Sequence, residues 1–233
     1  MRFLSGYLFI SFLSFFYAPA FADHFPVQLE DFEVLDIQVS GKIEWQSAPA
    51  SGSVDCSASL FSELEFDQSG KNLILSWKNN GRPEWKSGTE KLTIRLSSEL
   101  LRKVVISGSA DFHIKGVNKS PEFNLNISGS GDCKGSIDCS GNAILNISGS
   151  GDAELSGHCR SLEIRITGSG EVEAKDLKSE VVRVRIAGSG DADVFALKEL
   201  DAAITGSGNV SYWGNPEKLA KEINGSGTIK KGQ

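Results

Sequence analysis

Along residues 101–233 apolar and polar side chains alternate with period two, and the alternation breaks and resumes at regular intervals. Phe123, Leu125 and Ile127 run up to one break, as do Leu162, Ile164 and Ile166, and Val182, Val184 and Ile186. Ala153 and Leu155, Val172 and Ala174, Ala192 and Val194, and Val210 and Tyr212 follow such breaks on the apolar side. This is the pattern of strands with one buried face. The break itself is one phrase in seven copies: Ile106-Ser-Gly-Ser-Ala-Asp111, Ile127-Ser-Gly-Ser-Gly-Asp132, Ile147-Ser-Gly-Ser-Gly-Asp152, Ile166-Thr-Gly-Ser-Gly-Glu171, Ile186-Ala-Gly-Ser-Gly-Asp191, Ile204-Thr-Gly-Ser-Gly-Asn209 and Ile223-Asn-Gly-Ser-Gly-Thr228. Their isoleucines stand 18 to 21 residues apart. No interval has the 3.6 period or the length of a helix, so the crossover that usually joins parallel strands is missing. A parallel β-helix meets these constraints. Each repeat makes one coil of about 20 residues, each strand pairs with its equivalent in the next coil, and the aliphatic side chains stack inside. Glycine is expected at the corner because the chain turns sharply there with positive φ and successive backbones come close.

Residues 23–100 carry the same elements in looser form. Ile37-Gln-Val-Ser-Gly-Lys-Ile-Glu-Trp45 reads as strand, corner, strand; Leu73–Trp77 and Leu92–Leu96 alternate; Asn79-Asn-Gly81 and Lys86-Ser-Gly88 mark turns. The preferred organisation is one domain over 23–233, with 23–100 as irregular lead and cap coils and 101–233 as regular repeats. A separate lead domain is the alternative. Thr228-Ile-Lys-Lys231 places charge on the last strand, a common protection of an exposed edge.

Residues 1–22 are of another kind. Arg2, the apolar run Phe3–Tyr17 and the small residues Ala20 and Ala22 form the three parts of a secretory signal peptide, with cleavage expected between Ala22 and Asp23. No cysteine at that point suggests a lipid anchor, and no later segment is apolar enough to span a bilayer. The expected product is an exported protein, periplasmic or at the cell surface. The formal net charge of −6 argues against nucleic acid as a partner. The 25 glycines disfavour helices, while the frequent Val, Ile and Leu disfavour disorder.

Repeated Ile-Ser-Gly-Ser-Gly-Asp phrases behind a signal peptide and an irregular β-rich lead resemble the head GIN domain family of bacterial exported proteins. The resemblance covers roughly Phe32 to Gly232. It implies a right-handed parallel β-helix on the outer side of a bacterium, with an adhesin label and no catalytic residues. No translocator barrel follows the repeats, so the label does not imply that this chain exports itself.

Ser109, Ser130, Ser150, Ser169, Ser189, Ser207 and Ser226 hold one position in every copy, while His24, His113 and His158 sit at unrelated places. The serines therefore read as a hydroxyl ladder bonding to corner backbone, not as nucleophiles. Asp111, Asp132, Asp152, Glu171 and Asp191, then Asn209 and Thr228, make a second column. These acids either fan into water and close Asx-type turns, or hold divalent cations such as calcium between coils, with Asp132, Asp152, Glu171 and Asp191 as the candidate ligands. The Gly-x-Gly pairs, such as Gly129 and Gly131, lack the third glycine and following helix of a dinucleotide fingerprint. No cofactor is indicated.

Cys56, Cys133, Cys139 and Cys159 are an even set in an exported chain, open to three disulfide connectivities. Cys139 and Cys159, one coil apart, are the favoured pair; Cys133 is either a buried thiol or linked to Cys56. Trp45, Trp77, Trp85 and Trp213 read as core or cap residues, or as exposed aromatics that bind polysaccharide or protein. The whole reads as a non-enzymatic exported β-solenoid acting through its surface, with glycans or envelope proteins as partners. A carbohydrate-active enzyme using acids such as Glu154, Glu163, Glu171 and Glu173 is one alternative, and a self-assembling module is another; the oligomeric state stays open.

Overall fold

The computed structural model describes residues 23–78 and 91–233. The expected signal peptide, its Ala22 cleavage residue, both lead turns and Trp85 lie outside these residues. The chain forms β1 (Asp23–Val27), β2 (Val34–Ile37), β3 (Gly41–Ser47), β4 (Ser51–Cys56), α1 (Ala58–Glu63), β5 (Leu64–Ser69), β6 (Asn72–Trp77), β7 (Thr93–Ser98), β8 (Lys103–Gly108), β9 (Ala110–Ser120) and β10 (Phe123–Gly129). Four long bent strands follow, β11 (Asp132–Gly149), β12 (Ala153–Gly168), β13 (Glu171–Gly188) and β14 (Asp191–Gly206), and then β15 (Asn209–Gly214), β16 (Lys218–Gly225) and β17 (Thr228–Lys231).

The result is a β-solenoid. Coil stacks on coil in parallel register, and each repeat's isoleucine lies beside the next: Ile106 to Ile127, Ile127 to Ile147, Ile147 to Ile166, Ile166 to Ile186, Ile186 to Ile204 and Ile204 to Ile223. All but the last are 3% exposed or less. A buried aliphatic of this kind contributes on the order of 2 kcal/mol, so the inward column, repeated coil after coil, supplies the main stabilisation. Period-two alternation sends the intervening residues outward, which is why the faces are polar.

The lead region joins the same core in an order that differs from the order along the chain. The coil made by β2 and β3 lies between the coil of β6 and β7 and the coil of β8 and β9: β2 pairs with both β6 and β8, and β3 with both β7 and β9. Beyond the outermost of these coils the pairing turns antiparallel. β5 runs along β6, β4 along β7, and β1 along β4. α1, begun by Ser57, whose hydroxyl accepts from the Leu60 N–H, closes this end, with Phe61 stacked on Phe25 at a centroid distance of 4.2 Å.

Candidate functional site

At each corner two glycines do different work. The first has positive φ, as at Gly149 (+126°) and Gly168 (+122°). A Cβ on Gly149 would stand 2.3 Å from the Gly129 carbonyl oxygen of the coil before. The second, such as Gly151, is excluded from bearing a side chain by space: a Cβ there would meet the Gly131 carbonyl at 2.3 Å and the Ile127 methyl at 2.7 Å. Ala110 replaces the second glycine in the first copy and stacks on Gly41. Ser40 correspondingly lies 3.2 Å from Ser109, hydroxyl to hydroxyl.

The serine ladder exists, but its atoms are not the expected ones. The backbone N–H of Ser130, Ser150, Ser169, Ser189, Ser207 and Ser226 donates to a first-glycine carbonyl of the preceding coil at 2.8–2.9 Å. Their hydroxyls are exposed and make no hydrogen bond among the described residues. The corner therefore needs only the amide, and a column of hydroxyls faces solvent one coil apart. None of the three histidines is bonded to a corner serine; His24 pairs with Asp55 at 2.7 Å.

The column of acids is partly consumed by the fold. Asp132 accepts from the Asp152 N–H (3.1 Å), Asp152 from the Glu171 N–H (2.9 Å), and Asp191 from the Asn209 N–H (2.7 Å) and side-chain amide (2.9 Å), while Thr228 donates to Asn209 (2.7 Å). Beside it runs a second outward row, Glu44, His113, Lys134, Glu154, Glu173, Asp193, Ser211 and Lys230, in register from coil to coil. Lys134 is ion-paired with Glu154. Asp152, Glu171, Glu173, Asp191 and Asp193 have no ion pair among the described residues. Two such charges about 5 Å apart repel by about 1 kcal/mol even in water. Burial first, and then the charges of Glu173, Asp152, Asp191 and Asp193, raise the Glu171 pKa above 4.5. These rows line a shallow groove of about 360 Å³ that reaches from Asp111 to Glu173. No group of three or more His, Cys, Asp or Glu converges as a metal site among the described residues.

Where the rows meet the lead region, Glu44 receives Lys42 at 2.8 Å, Lys115 at 3.0 Å and Arg95 at 3.4 Å. Lys42 foremost, and then Lys115, hold its pKa down at about 2. Buried Asn118 bridges the Leu101 N–H (3.0 Å) and carbonyl (2.8 Å), standing in for a strand neighbour. Neither role had a signal in the sequence, since both residues occupy ordinary positions in alternating strands.

Cys133, Cys139 and Cys159 are free thiols, so neither the Cys139–Cys159 bridge nor the Cys56–Cys133 bridge is formed. Cys139 and Cys159 are register partners, as their spacing implied. Side chains stacked in a parallel ladder point the same way with their Cβ atoms about 4.8 Å apart, beyond the usual disulfide range of about 3.5–4.5 Å. Each sulfur instead meets a serine, Ser120 at 3.6 Å and Ser179 at 3.0 Å. Burial pushes the Cys133 thiol up to about 12 and Cys159 to about 11, which leaves them unreactive at neutral pH. Cys56 is buried, its sulfur 3.3 Å from the Ser57 carbonyl. Trp45 is fully buried and donates to Ser98 (2.8 Å), Trp77 is 7% exposed, and Trp213 is half-buried beside Gly232.

The family described as putative auto-transporter adhesin, head GIN domain, matches residues 31–216. The chain belongs to the head GIN domain family. Among solved structures, a putative adhesin from Bacteroides fragilis has 22% identity and a TM-score of 0.80, over 90% of this chain and 96% of that one. A putative adhesin from Parabacteroides merdae has 19% identity and a TM-score of 0.72, over 92% and 98%. A protein from Parabacteroides distasonis described as putative lipid binding has 27% identity and a TM-score of 0.68, over 92% and 98%. No curated protein matches the chain. Among the described residues of this GIN domain no helix is long and apolar enough to cross a membrane.

Proposed function

We propose that this GIN-domain protein is exported and acts without catalysis, holding a glycan or an envelope protein against the flank of its solenoid, as an adhesin does. One observation carries the reading: the hydroxyls of the corner serines from Ser130 to Ser226 and the Glu173 carboxylate are exposed at one-coil spacing, the half-buried Asp193 stands one coil on from Glu173, and none of these groups is bonded within the fold. Groups held so regularly on a rigid ladder suit an extended, repeating ligand. The adhesin descriptions of the family and of two structural neighbours support it. The test is a binding screen of the purified protein against glycans, envelope extract and lipid vesicles, with and without calcium. A saturable ligand whose binding falls when Glu173 and Asp193 become Gln and Asn is the expected result. No saturable ligand in either condition overturns the reading.

A second reading, glycan cleavage, is favoured by Glu171 alone, whose raised pKa beside other carboxylates is the condition of a general acid. Release of reducing sugar, abolished by Glu171→Gln, would establish it in place of the first.

A further inference from the structure

The two ends of the solenoid are finished differently. The first is covered by antiparallel β1, β4 and β5 and by α1. At the other, β16 pairs with β14 and β17 with β15, and among the described residues neither has a partner on its outer edge. Such an edge presents a row of backbone N–H and C=O groups ready to pair. The inward column ends there in Leu219 and Ile223, 45% and 44% exposed, above Leu200 and Ile204, which are 0% and 1% exposed. Between them Lys221 stands over Ala202 in a position that points inward. Its ammonium reaches across the open end to 4.7 Å from the Tyr212 ring centre and donates to the Ile229 carbonyl at 3.2 Å. Lys218, Lys230 and Lys231 add to it, against Glu217 and Glu222, so the coil of β16 and β17 is basic in a chain of net charge −6.

We propose that this end is a strand-acceptor site, at which an extended segment of a partner protein adds to the outer edge of β16 and continues the ladder by one strand. The register states what the segment must be. Apolar residues stand over Leu219 and Ile223, an aspartate or glutamate stands over Lys221, and the positions between them face solvent. Backbone hydrogen bonds supply affinity, while the two apolar contacts and the lysine select the sequence. A second copy of this chain fits poorly. Antiparallel pairing that sets Leu219 of one copy against Ile223 of the other brings the two Lys221 ammoniums face to face, a like-charge opposition that specifies against the dimer. The site is at the end of the rod and stands independently of what the flank binds.

The experiment titrates the full chain into the fluorescein-labelled peptide Ser-Val-Thr-Glu-Thr-Ile-Ser-Gly and follows anisotropy. Saturable binding is expected, weakened roughly tenfold or more when the peptide glutamate is replaced by lysine. It is lost when two adjacent peptide residues are N-methylated, which removes an N–H on the acceptor side in either strand orientation. Lys221→Glu inverts the preference between the two peptides, and the peptide exchange on the unaltered protein tests the site even if that variant does not fold. Equal binding of both peptides, indifference to N-methylation, or no binding overturns the proposal. So does a dimer in light scattering that Leu219→Ser and Ile223→Ser dissolve, because it makes a second copy the occupant.

Discussion

A glycine and a serine, adjacent and repeated equally often, carry unequal structural weight. Gly149 combines a φ of +126° with the Gly129 carbonyl 2.3 Å from where a Cβ would lie, whereas the Ser150 hydroxyl makes no bond in the fold. Gly149→Ala is therefore expected to cost roughly 3 kcal/mol, from backbone strain and overpacking together. Ser150→Ala is expected to change stability by less than about 0.5 kcal/mol. Urea unfolding of the two variants measures both. Equal losses would mean that the hydroxyl does structural work after all. The repetition marked both residues as constrained but not which atoms bear the constraint: hydroxyl bonding was the expectation, and the amide N–H is what donates. Any residue with an N–H would serve at that position, so the persistence of serine needs a cause outside the fold.

At the scale of strands and rows, Glu171 and Glu44 give opposite responses to pH. The folded pKa of Glu171 lies above its ordinary 4.5, so its ionisation opposes folding as pH rises through that value. Glu171→Gln should then raise the melting temperature at pH 7, with the gain vanishing below pH 4.5. The pKa of Glu44 is held at about 2, so its contribution is fully present above 4.5 and is lost as pH falls toward 2. Glu44→Gln should lower the melting temperature at pH 7, with the loss vanishing only once the pH has fallen below about 2. At this same scale the sequence was legible for the repeats and not for the lead. Alternation tells which side of a strand faces in, and the phrases supplied the register by their own identity. Nothing comparable labels β2, β6 and β8, whose alternation is alike and whose neighbours lie far apart in the chain, so the insertion of one coil between two others had no local signature. The acidic groove was legible as a column but not as two rows side by side, because the second row mixes Lys134, Glu154 and Ser211 and shows no repeat.

For the molecule as a whole, stability should fall along the axis toward the open end, since a solenoid holds each coil by its neighbours alone. The amides of 218–231, on strands paired on one side, are expected to exchange with deuterium first, and those of β12 and β13 last. Exchange followed by mass spectrometry reads this directly, and protection as strong at 218–231 as in β12 would show that the end is already covered. The corner ladder also bears on how such a rod can change over generations. A stretch of one repeat taken from between Gly149 and Gly188 carries the same glycine carbonyl for the coil above and the same serine amide for the coil below. A tandem duplication of it in the gene would slide into the stack without disturbing either end. Each such event would lengthen the rod by about 4.8 Å, so the separation of the covered end from the open one is a dimension that replication slippage can adjust in whole steps.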